Sequence, residues 1–129
     1  MNTIMTVCAL FLAAGVSLVF AAEPAPKDLR LFYQSNCARC HGADGSARDA
    51  QGKSMKGQDF TEARWRADSS DASMVKVILK GKFFGLALPG FRSQLTIEES
   101  QRFVTEIIRQ AVKGKAIEPE PKAPEAVQP

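Results

Sequence analysis

The chain has 129 residues, a formal net charge of +3, 24% charged side chains and 45% hydrophobic ones. That length suits one hydrophobic core rather than two. The basic residues are dispersed rather than bunched, which excludes the basic tract expected of a nucleic-acid binder.

In chain order, the first element is an apolar leader. No Asp, Glu, Lys or Arg precedes Glu23, and the run from Ile4 to Phe20 is almost wholly apolar. Residues 1–21 read as a signal peptide cleaved after Ala21. Left uncleaved, the segment reads as a membrane anchor, because Ile4 to Ala22 nearly reaches the about 20 apolar residues that a span needs. Contact with a membrane is expected only in that case. Cys8 leaves with the leader, so Cys37 and Cys40 remain as the only cysteine pair, in an oxidising compartment.

Next comes Pro26 followed by Leu29, Phe32 and Tyr33 at spacings that share one helical face, and this helix is expected to run into the cysteines. Residues 42–60 are rich in Gly, Ser, Asp and Lys with no apolar period, and read as a long loop. A loop of that length in a compact domain needs a reason, and wrapping a cofactor is one. Ser70 to Ser73 has the character of a helix start, Met74, Val75, Ile78 and Leu79 form a stripe, and Gly81 stands where the helix should stop. The glycines and proline of FFGLALPGF (83–91) then break all periodicity, and its large apolar residues predict a loop lying against something apolar. Thr96 and Glu99 form a capping box. Phe103, Val104, Ile107, Ile108, Ala111 and Val112 continue a helical stripe to Gly114. The domain is therefore placed at residues 22–113, with a Pro-rich mobile tail at 114–129.

Cys37-Ala-Arg-Cys40-His41 has the Cys-x-x-Cys-His spacing of c-type haem attachment. On one helical turn the two thiols share a face and reach the two vinyl groups of one porphyrin, with His41 as the metal ligand. Zinc normally takes four Cys or His ligands, and only Cys37, Cys40 and His41 are on offer. A thioredoxin-like pair would follow a strand rather than a helix, and a disulfide across so short a loop would staple little.

These residues, together with Asp44-Gly45, the KGQDF stretch ending at Phe60, the short helix ending at Gly81, the LPGF loop and the capped last helix, resemble the class I monohaem cytochromes c of the small bacterial periplasmic type. The resemblance implies an all-α cytochrome c fold. Its N- and C-terminal helices cross beside one covalent haem c, with Phe32 against Phe103 or Ile107, and long loops wrap the cofactor. It also implies a periplasmic protein that transfers one electron at a time to and from redox partner proteins. Such a protein is a carrier or the haem subunit of a larger complex, not an enzyme.

Two departures stand out. The family usually carries Met-Pro where this chain has Leu88-Pro89, and leucine offers iron no lone pair. An open or water-bound position is expected, with Met55 or Met74 as substitutes. Lys80 and Lys82 would first have to lose a proton. Phe83, Phe84, Leu86 and Phe91 are expected to shape that side of the pocket. An open position also makes a five-coordinate haem protein binding a small gas or peroxide the alternative function. The second departure is the missing proline after the motif, whose carbonyl commonly accepts the proximal imidazole N–H. Ser54 occupies the matching position. Trp65, between Arg64 and Arg66, is a candidate for the haem propionates or simply a half-buried tryptophan between solvated arginines. Lys76, Lys80, Lys82 and Arg92 are either a guide for an acidic partner or a solvated face.

Overall fold

A computed structural model describes residues 25–121; the expected leader at 1–21 and the end of the tail lie outside them. Asp28 caps the first helix, α1 (Leu29–Asn36), its carboxylate accepting from the Arg30 and Leu31 backbone N–H groups. Such a cap is worth about 1 kcal/mol. Leu29, Phe32 and Tyr33 are buried along one face. After Cys37 the chain resumes as a single turn, α2 (Ala38–His41), so the motif sits on helix as expected.

The loop of residues 42–60 is organised by its backbone rather than by apolar period. Ala47 N–H donates to the His41 carbonyl (2.7 Å), Met55 to Ala47 (2.7 Å), Gly57 to Cys40 (2.8 Å) and Phe60 to Gly45 (2.7 Å). The bonds to His41 and Cys40 fold the loop back onto α2, and the other two close the loop on itself. A short helix follows, α3 (Ala63–Asp68). Then comes α4 (Asp71–Lys80), whose Ser70 hydroxyl accepts from Ser73 N–H. The helix stops at Gly81, whose φ of +77° and whose approach to the Leu88 carbonyl leave no space for a side chain. The box of Thr96 and Glu99 opens α5 (Ile97–Arg102).

The last helix changes pitch rather than continuing evenly. From Phe103 to Ile108 it widens to a π-helix, with Arg109 N–H donating to the Val104 carbonyl (2.9 Å). A π turn brings residues five apart onto one side, which is how Phe103 and Ile108 face the same cavity. The helix ends there and not near Gly114. Ala111 is still buried, but Val112, expected on the stripe, is 55% exposed.

Phe32 is the centre of the helix crossing, meeting Phe103 at 5.6 Å and Phe91 at 5.3 Å, both edge to face. Phe103, Val104, Ile107 and Ile108 are all buried beside it. Burial of each such side chain contributes about 1.5–3 kcal/mol. Ile117, expected in a mobile tail, is instead buried in this core, and its N–H donates to the Ala43 carbonyl (2.8 Å). Among the described residues there is no β-strand, only isolated bridges such as Lys82–Leu88, and no helix is long and apolar enough to cross a membrane.

Candidate haem site

A cavity of about 620 Å3 opens between α1, α2, the loop and α4. Cys37, Cys40, His41, Trp65, Leu88 and Pro89 all line it, although they come from three separate segments. The apolar part of the remaining wall comes chiefly from Phe32, Phe60, Met74, Val77, Ile78, Phe91, Phe103 and Ile108.

The histidine is held by two contacts. Its Nδ1 lies 2.9 Å from the Gln58 carbonyl, which can only accept, so Nδ1 carries the proton and Nε2 is left with its lone pair. Its ring stacks on Phe60 at 4.2 Å with an interplanar angle of 15°. Burial pushes the His41 pKa below its ordinary value; the Gln58 hydrogen bond works the other way, and the charge of Lys82 adds to the lowering. A neutral imidazole with one free lone pair is the form that binds a metal.

Gln58 replaces the expected acceptor. Ser54 lies opposite Arg48 in an isolated bridge and does not line the cavity. Only a backbone carbonyl is involved, so no side-chain pattern announces Gln58. A weak signal was present one residue earlier, at Gly57, where an added Cβ would lie 2.4 Å from the Cys40 carbonyl and 2.6 Å from His41 Nδ1.

The two thiols are free. Burial, and then the neighbouring Cys40, push the Cys37 pKa up to about 12, so its proton stays on sulfur at neutral pH. A redox-active thiol needs the opposite shift, and Cys37 follows a helix rather than a strand, which sets the thioredoxin-like reading aside. Among the described residues no group of three or more His, Cys, Asp and Glu side chains is arranged to hold a metal ion.

Several expectations about the pocket wall change. Met74 lines the cavity, whereas Met55 does not. Phe91 lines it, but Phe83, Phe84 and Leu86 point away and are 73%, 107% and 91% exposed. Trp65 lines the cavity and packs on Phe60 at 5.4 Å. Its neighbours do not: Arg66 donates to the Phe60 and Ala111 carbonyls, and Arg64 pairs with Asp68 at the surface. The cations on the cavity wall are Arg39, Lys56 and Lys82, of which only Lys82 belongs to the basic set expected beside the pocket.

Two thiols three residues apart, an adjacent imidazole with a free nitrogen and a large apolar cavity are a donor set and a shape that fit a covalently attached porphyrin. Comparison with known proteins agrees. The family model described as cytochrome C oxidase, cbb3-type, subunit III matches residues 24–105. The chain belongs to that family and is a monohaem c-type cytochrome. Among solved structures, the cytochrome is similar to the KustC0563 c-type cytochrome, with 26% identity, a TM-score of 0.50, and coverage of 64% of this chain and 95% of that one. A tyrosine-to-phenylalanine mutant described under the same name gives 27% identity, a TM-score of 0.53 and coverage of 67% and 100%. No curated protein matches significantly. The cytochrome therefore has the all-α cytochrome c fold, carries haem c covalently through Cys37 and Cys40, and has a haem-based electron-transfer role.

Proposed function

We propose that this cytochrome is a one-electron carrier whose iron takes His41 as its protein ligand, with Leu88 standing where related chains place methionine. The observation that carries the reading is the locked imidazole: the Gln58 carbonyl holds Nδ1–H and leaves Nε2 available in the same cavity as both thiols. The haem supplies a metal that cycles between ferric and ferrous states, and losing a thioether ligand favours a lower potential than His/Met ligation gives. Among the described residues Met74 is the only methionine on the cavity wall, and its place in the buried core supports a packing role. Arg39, Lys56 and Lys82 offer positive charge to the haem carboxylates, whose burial without partners would be costly. Leu88 and Pro89 close the wall beside them.

The same reading places a secretory leader at residues 1–21 and the working domain in the periplasm. There it exchanges electrons with partner proteins, freely or within a larger redox assembly such as the one named by its family.

Optical spectra of the haem-loaded protein test the ligation. A high-spin ferrous spectrum and rapid carbon monoxide binding are expected, unchanged by Met74→Leu. A low-spin, inert wild type that turns high-spin in Met74→Leu would overturn the assignment.

A further inference from the structure

Three of the residues expected to shape the haem pocket do the reverse. Phe83, Phe84 and Leu86 stand out from the surface at 73%, 107% and 91% exposure. Single exposed apolar residues are ordinary; three within four positions at one turn are not. The projection is built firmly. Lys82 N–H donates to the Leu88 carbonyl (3.0 Å), Gly85 N–H to Lys82 (3.1 Å) and Leu86 N–H to Phe83 (3.0 Å). Phe83 and Phe84 both hold left-handed backbone, with φ of 50° and 54°. Bulky residues rarely accept that conformation, at about 1–3 kcal/mol each, and here no buried contact of either ring compensates.

The sequence on either side of this tip carries only positive charge. Between Asp71 and Glu98 the chain has four cations, Lys76, Lys80, Lys82 and Arg92, and no carboxylate. All four are exposed, and none belongs to an ion pair among the described residues. Lys76 and Lys80 stand one helical turn apart on α4, and Lys82 begins the turn itself. On the return side, Phe91 N–H donates to the Ile78 carbonyl, which brings Arg92 back beside α4.

We propose that this knuckle inserts into the interface of an anionic lipid bilayer, with Phe83, Phe84 and Leu86 at headgroup depth and Lys76, Lys80 and Arg92 against lipid phosphates. A narrow convex tip would need a matching pocket on a protein, whereas a fluid interface accepts it without one. Aromatic rings favour that depth, and basic side chains beside an anionic surface contribute about 1 kcal/mol each. The base of the same hairpin (Lys82, Ala87, Leu88 and Pro89) forms one wall of the haem cavity. Docking would therefore set the haem site close to the membrane plane, within reach of membrane-bound redox partners. The proposal does not depend on the sixth iron position, because the three tip residues do not line the cavity.

The test is co-sedimentation of the full-length, haem-loaded protein with vesicles of phosphatidylcholine alone or with about one-third phosphatidylglycerol. It compares wild type with the Phe84→Ser/Leu86→Ser double variant. Wild type should partition onto the anionic vesicles and be released by salt. The double variant should bind about tenfold more weakly or worse, with its haem spectrum unchanged as a check on folding. Binding that is equal in both proteins, equal on neutral vesicles or insensitive to salt would overturn the proposal and assign the contact to the N-terminal apolar segment. Absence of wild-type binding would also overturn it and would leave the tip to a protein partner.

Discussion

Gly57 shows how little space the site tolerates. Its Cα sits against the Cys40 carbonyl and the His41 ring so closely that one added methyl must displace one of them. Gly57→Ala should therefore cost about 1–3 kcal/mol. It should also loosen the bond between His41 Nδ1 and Gln58 that follows directly in the chain. Thermal melting of the haem-loaded variant measures the first effect, and a changed ferric spectrum reports the second. An unshifted melting temperature would show that the loop simply moves aside. At this scale the motif was readable because two thiols and an imidazole are rare residues at a fixed spacing. The Gln58 contact was not, because any residue supplies a carbonyl and only the loop's path decides which one arrives.

Among the elements, those that start with a side-chain cap were legible. Ser70 and the Thr96–Glu99 box announce α4 and α5 by local chemistry, and both helices begin where those residues lie. Ser70→Ala should lower stability by about 1 kcal/mol, seen as a lower melting temperature with an unaltered haem spectrum. No such signal precedes α3, whose Glu62 makes no side-chain cap. Arg109 holds that helix from outside, donating to the Arg66 and Ser69 carbonyls and pairing with Asp71 at 2.8 Å. Contacts made across about forty residues leave no periodic trace in the sequence. The stripe through Ala111 and Val112 misled for a related reason. Ala111 is buried by packing after the helix has ended, not by continuing it. The tip at Phe83 and Phe84 misled differently: large apolar side chains usually imply burial, and here the left-handed turn turns them outward.

Across the whole molecule, the haem-wrapping loop is tied to the segment that follows the last helix. Asp44 accepts from Ser46 N–H (2.9 Å) and from Gly114 N–H (2.7 Å), while Ile117 bonds Ala43. Desolvation raises the Asp44 pKa, but these donated N–H groups outweigh it, and the net shift is downward from 3.8. A carboxylate with a lowered folded-state pKa contributes stability that is full above its unfolded value and is lost as the pH falls through the folded one. Asp44→Asn should therefore melt earlier than wild type at neutral pH, and the gap should close on acidification below 3.8. A gap independent of pH would assign the loss to geometry instead. The cavity itself has the widest consequence. Core side chains such as Phe32, Met74, Ile78 and Phe103 line its roughly 620 Å3, and without a bound porphyrin they face water instead of an apolar partner. The porphyrin is thus as much a structural member as any helix. A polypeptide that escapes thioether formation lacks the centre around which it would condense, and proteolysis would clear it before it could compete for redox partners.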